Sequence, residues 1–200
     1  MTQQEFKTCI DKYAEVVALI KESAHALHAS VNQTYGDVLP YGYHLDMVAD
    51  SVHKFGHLVC AEEKDVVPLF FGAYYHDSIE DARLTYNDVM RKAKQWMDDG
   101  QALTATEIVY ALTNDKGRTR AERAGEKYYQ GIRSTAYAPF VKQADRLANI
   151  TYSFSHCNAD NIHMKQVYNA ELPHFLEAID AKQDDMRYAL PKEMVDAIPL

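Results

Sequence analysis

After Asp65 the chain runs VVPLFFGAYYHDSIED, an apolar stretch that ends abruptly in one histidine and three carboxylates. A helix that is apolar nearly all round has no face to give to water and must be wrapped by other elements. Asp65 is placed to cap such a helix, and Pro68 falls in its first turn. Gly72, within it, predicts a neighbouring helix packed close. The sequence thus predicts a bundle built around residues 66–81, with the His76-Asp77-Ser78-Ile79-Glu80-Asp81 cluster at the polar end of its central helix.

Helical spacing dominates on both sides. Phe6, Ile10, Tyr13, Val17 and Ile20, then Ala24 and Leu27, predict one long N-terminal amphipathic helix. Residues 32–43 carry turn formers and aromatics and predict a loop. A second helix begins near His44, with Leu45, Val48, Val52 and Phe55 on one face. Thr85 is placed to cap a helix through Trp96, and Thr104 another through Leu112. The apolar pattern then lapses over residues 114–133. A helix from about Pro139 through Phe154 would set Asp145, Asn149 and Tyr152 on one stripe, and Asn161 to Ala181 predicts a last long helix. Strand alternation of useful length is absent. With 200 residues, 47% of them apolar, one all-α domain of about eight to ten helices has chain enough for a core. Phe70, Phe71, Tyr74, Tyr75 and Trp96 are expected to fill it.

A net charge of −8 argues against a general nucleic-acid binder or a membrane-surface protein. Three cysteines (Cys9, Cys60 and Cys157) are odd in number and form no CxxC pair, so reduced thiols are the simplest expectation. The start, MTQQEFKTCIDKYAEV, is too polar for a signal peptide, and the apolar run from Val66 to Tyr75 is too short to span a bilayer. A cytoplasmic protein with a small-molecule partner is expected, without nucleic acid or membrane; a homo-oligomer is compatible with this.

An adjacent histidine and aspartate can give two ligands to one divalent cation from a single stretch of backbone, and a distant histidine and aspartate can complete the shell. His76 and Asp77 form such a pair, with His44 before them and Asp145 after. On a helix, Glu80 and Asp81 would fall one turn beyond the pair on the same face, where a carboxylate could act on a metal-activated water. Three acids and an imidazole within six residues repel one another unless a cation or solvent compensates. Taken singly, each part has a plainer account: a His–Asp hydrogen bond at a helix end, a structural histidine at His44, and a surface salt bridge at Asp145-Arg146.

Taken in order, H…HD…D on helices resembles the HD-domain metal phosphohydrolases. One branch is closer still, the hydrolase domains of RelA/SpoT-type proteins and the small alarmone hydrolases. The likeness runs over roughly residues 35–155, through Pro40-Tyr41-Gly42-Tyr43-His44, the HDSIED block, Ala111-Leu112-Thr113-Asn114-Asp115-Lys116 and Lys142-Gln143-Ala144-Asp145-Arg146-Leu147-Ala148-Asn149. The resemblance implies an HD-domain helical bundle and one Mn²⁺ per chain, with other divalent cations able to substitute. His44, His76, Asp77 and Asp145 would hold the cation, Glu80 and Asp81 would position the attacking water, and Asn149 would contact the nucleotide. The implied reaction removes the 3′-pyrophosphate from (p)ppGpp or a related nucleotide. A 5′-nucleotidase, a dNTP triphosphohydrolase and a non-catalytic alarmone-binding module are the alternatives. Where the family carries a cation before the first histidine, to stack on guanine, this chain has Thr34-Tyr35-Gly36, so Tyr35 would have to stack through its ring. Residues 116–133 hold Lys116, Arg118, Arg120, Arg123, Lys127 and Arg133 against Glu122 and Glu126. Lys116 and Arg123 from this segment, with Lys142 and Arg146, are the candidates for binding pyrophosphate.

Overall fold

The computed structural model describes residues 1–36, 38–114, 118–156 and 158–199; Lys116 and Cys157 lie outside them. The N-terminal apolar stripe forms two helices rather than one, α1 (Gln3–Lys12) and α2 (Ala14–Ser30). Tyr13 is the joint; its Oη donates to Glu63 across 2.8 Å, and Lys12 meets the same carboxylate. The backbone ladder continues across the joint: Tyr13 N–H reaches Cys9 O, and Val17 N–H reaches Tyr13 O. The loop that follows contains a small antiparallel hairpin, β1 (Thr34–Tyr35) with β2 (Leu39–Pro40), in which Tyr35 pairs with Leu39.

Helix α3 (Gly42–Phe55) begins two residues before His44 and buries Leu45, Val48 and Val52. The central helix is α4 (Val66–Tyr75), and all ten of its residues are buried. Asp65 stands at its N-cap position but makes no cap; its carboxylate accepts instead from the buried Tyr137 Oη at 2.7 Å. The helix also ends sooner than its sequence predicts. His76 Nδ1 donates to Ala73 O at 2.9 Å, taking the carbonyl that the Asp77 N–H would need, while Ser78 N–H turns back to Tyr75 O. Residues 76–81 are therefore a turn, and Glu80 and Asp81 do not share a helix face with the His-Asp pair.

Helix α5 (Tyr86–Ala93) starts at a capping box of Thr85 and Asp88 and stops short of Trp96. Helix α6 (Asp99–Leu112) starts earlier than the Thr104 cap would have it, because Asp98 and Gln101 form a capping box of their own. Part of the basic segment is helical, in α7 (Arg120–Arg123) and α8 (Glu126–Ser134). Two long helices follow, α9 (Ala138–Ser155) and α10 (Ala159–Ile179), and then a short α11 (Lys192–Asp196). The result is an all-α bundle: α4 is packed by α2, α3, α6 and α9, and α10 lies against α9 and α8. Phe70, Phe71, Tyr74 and Tyr75 are in the core, and Trp96 tilts on Phe71 from a half-buried position. Cys9 and Cys60 are buried free thiols, and burial pushes Cys60 up to about 12. No helix among the described residues is long and apolar enough to cross a membrane.

A candidate metal centre at the end of the central helix

Three helices that pack on one another bring the His/Asp set together. His44 comes from the first turn of α3, His76 and Asp77 from the end of α4, and Asp145 from the middle of α9. His44 Nε2 and His76 Nε2 face each other across 3.2 Å. Asp145 Oδ1 is 3.3 Å from the first and 3.8 Å from the second. One ligand atom each from His44, His76 and Asp145 lie within 4.8 Å of one another. Asp77 Oδ2 joins them, 2.9 Å from His76 Nε2 and 3.7 Å from His44 Nε2. Both imidazoles are almost wholly buried, at 1% exposure.

The electrostatics are those of charges held out of water. Burial alone would depress His76, but the charge and hydrogen bond of Asp77 outweigh it and push its pKa up to about 9. Burial would raise both carboxyls; His76 instead holds Asp77 below the usual range, and Lys142 with the two histidines holds Asp145 well below it. Lys142 Nζ, 2.9 Å from Asp145 Oδ2, stays well above its ordinary value against its own burial. The donor set suits a divalent cation. Two imidazole nitrogens and carboxylate oxygens, with no thiolate, match Mn²⁺, Fe²⁺ or Co²⁺. His76 Nδ1, committed to Ala73 O, leaves its Nε2 lone pair turned toward the acids. His44 Nδ1, by contrast, is buried with no hydrogen-bond partner among the described residues.

The centre opens on a cleft of about 1290 Å³ whose walls include Tyr41, His44, Asp77, Asp81, Asn114 and Lys142. Asp81 stands on that wall, its Oδ2 accepting from Gln33 Nε2 at 2.5 Å. Glu80 is used differently. Both of its oxygens accept from Asn114, from the backbone N–H and from Nδ2 at 3.0 Å, so it clasps the 76–81 turn to the end of α6. Its surroundings desolvate it and Asp77 repels it, which raises its pKa despite the Asn114 bonds.

Among the expected substrate-binding residues, Lys142, Arg146, Asn149 and Arg123 line the cleft. Arg146 is clamped, however: Nη1 donates to Glu171 at 3.0 Å and the guanidinium lies over the rings of Tyr168 and Phe175. Arg133 is spent on Glu126 and the Ala178 carbonyl. Asn149 turns inward, to Asp145 and to Tyr35. Tyr35 does not line the cleft; it packs on His44 and Tyr152, so its ring serves the protein rather than a base. Three residues matter to the site without having had a role in the sequence pattern. Tyr41 Oη donates to Asp77 Oδ2, His28 stacks on Tyr41 at 4.7 Å, and Gln33 bridges His28 to Asp81. Tyr41 sits three residues before His44, inside the quoted motif, whereas His28 and Gln33 carry no local signal at all. No protein-family model matches the chain, and no curated protein matches it.

Proposed function

We propose that the chain is a divalent-metal-dependent phosphohydrolase acting on a nucleotide, and that its reaction removes the 3′-pyrophosphate from (p)ppGpp or a close relative. The observation that carries this reading is the convergence of His44 Nε2, His76 Nε2 and Asp145 Oδ1 within 4.8 Å of one another beside the large cleft. A cleft of this size accommodates a nucleotide with its phosphates. His44, His76, Asp77 and Asp145 would hold one cation; the donor set suits Mn²⁺, Fe²⁺ or Co²⁺, and Mn²⁺ is the one the resemblance implies. When bound, the cation supplies Lewis acidity toward a phosphoryl oxygen and toward water.

The remaining roles belong to the chain. Asp81, on the cleft wall, would orient the attacking water and take its proton. Glu80 would keep Asn114 in place on the same wall. Lys142 and Arg123 would face the charge that develops on the departing pyrophosphate. The products are pyrophosphate and a nucleotide with a free 3′ hydroxyl. The test is purified protein with Mn²⁺, offered ppGpp, its adenine counterpart, NADPH and dNTPs, with products resolved by anion-exchange chromatography. Pyrophosphate released from ppGpp is the expected result. Triphosphate from dNTPs, or phosphate alone, would move the chain to another hydrolytic class, and binding without turnover would make it a nucleotide-binding module.

A further inference from the structure

We propose that Tyr35 is a positioning residue for cation binding: from the β1–β2 hairpin it holds two of the candidate ligands, His44 and Asp145, in place. The inference rests on the metal part of the function proposed above and not on the identity of the substrate.

Two independent contacts carry it. The first acts through Asn149. Tyr35 Oη donates to Asn149 Oδ1 at 2.9 Å. With its oxygen engaged there, the Asn149 amide presents Nδ2 to Asp145, at 2.6 Å from Oδ1 and 3.0 Å from the backbone carbonyl. Lys142 holds the other carboxylate oxygen at 2.9 Å. The Asp145 carboxylate is thus fixed at both ends, with Oδ1 turned to His44 Nε2.

The second contact is the ring itself. A ligating imidazole is ordinarily oriented by the hydrogen bond that its other nitrogen donates. His76 has such a bond, to Ala73 O, while His44 Nδ1 has none among the described residues. The Tyr35 ring stacks on His44 instead, centroids 4.8 Å apart and planes 23° apart. Aromatic stacking therefore takes over the orienting role that a hydrogen bond plays at His76. The brace is itself seated: Tyr152, one helical turn beyond Asn149, packs against Tyr35 at 4.6 Å. Gly36 adopts φ +57°, and a Cβ there would lie 2.1 Å from Tyr152 Oη.

The measurement is Mn²⁺ affinity by calorimetry, with Co²⁺ visible absorption as a report on ligand geometry, for wild type, Tyr35→Phe, Tyr35→Leu, Asn149→Ala and the Tyr35→Phe/Asn149→Ala double variant. Tyr35→Phe removes one hydroxyl and should weaken binding about tenfold, the lower end of what outer ligand partners contribute. Tyr35→Leu also removes the stack and should weaken it further and change the Co²⁺ spectrum. In the Asn149→Ala background, Tyr35→Phe should cost nothing more, since the hydroxyl acts through that amide. Wild-type affinity in Tyr35→Phe, or losses that simply add in the double variant, would overturn the proposal while leaving the hydrolase reading intact. If Tyr35→Leu does not fold, the Tyr35→Phe cycle decides alone. A normal brace in a protein that turns over no nucleotide would sink the hydrolase reading and spare this one. A wild-type chain that binds none of Mn²⁺, Co²⁺, Fe²⁺ or Zn²⁺ would overturn both.

Discussion

Two imidazole nitrogens that face each other across 3.2 Å repel unless a proton or a cation lies between them. With its pKa pushed up to about 9, His76 can supply that proton, and a bound divalent cation would take its place. The acids around the pair then divide by what their oxygens already do. Asp81 faces the cleft, whereas Glu80 gives both oxygens to Asn114. Asp81→Asn should lower kcat on the order of a hundredfold or more, the range of a lost general base. Glu80→Gln should stay within about tenfold of wild type, a loss of positioning only. Steady-state kinetics with Mn²⁺ decide this, and equal losses in the two variants would return Glu80 to the chemistry. Glu80 also has a pH signature. Its pKa is raised, so the folded state favours the protonated form; the associated stability is present at low pH and lost as pH rises through that raised value. Glu80→Gln, which has no charge to lose, should therefore gain on wild type in melting temperature as pH rises from 4 to 8. A gap that is flat across that range would mean that the surroundings do not disfavour the carboxylate.

At the scale of elements, α4 packs close against α6. A Cβ on Gly72 would lie 2.6 Å from Ile108 Cγ2, and both residues are buried. Gly72→Ala should cost about 1–3 kcal/mol by overpacking, and Ile108→Ala should recover part of that loss in the double variant. Chemical denaturation of the four proteins gives the cycle; no loss in Gly72→Ala would mean that the seam yields. The close approach was readable from a glycine inside an otherwise bulky apolar run. So were the starts of α3 and α5, the stripe on α9 and the apolar body of α4, because those signals are periodic or are local caps. What was not readable depends on partners distant in sequence. Glu63 meets Tyr13 where the N-terminal stripe divides into two helices, and Tyr137 takes the carboxylate that would have capped α4. The end of α4 was misread for a local reason, the His76 side chain competing for Ala73 O. That His44, His76 and Asp145 would converge followed from their order along the chain. The shell around them did not, since His28 and Gln33 reach the site only through the fold, and Tyr35, expected at a base, stacks on His44.

At the scale of the molecule, the candidate ligands come from the central α4 and from α3 and α9, which pack on it, and about a hundred residues separate the first from the last. A cation shared among them is a rivet through three beams. The unfolded chain has no such site, so occupancy adds to folding free energy by mass action, about 2.7 kcal/mol at a hundredfold excess over Kd. For a chain of this length that corresponds to roughly 5–10 °C in Tm. Mn²⁺ should raise the melting temperature by that order, a chelator should reverse the rise, and His76→Ala should abolish it. Equal shifts in wild type and His76→Ala would place the ion elsewhere. Scanning calorimetry then counts how many rivets are in place: heat, rather than turnover, becomes the gauge of whether a preparation is loaded.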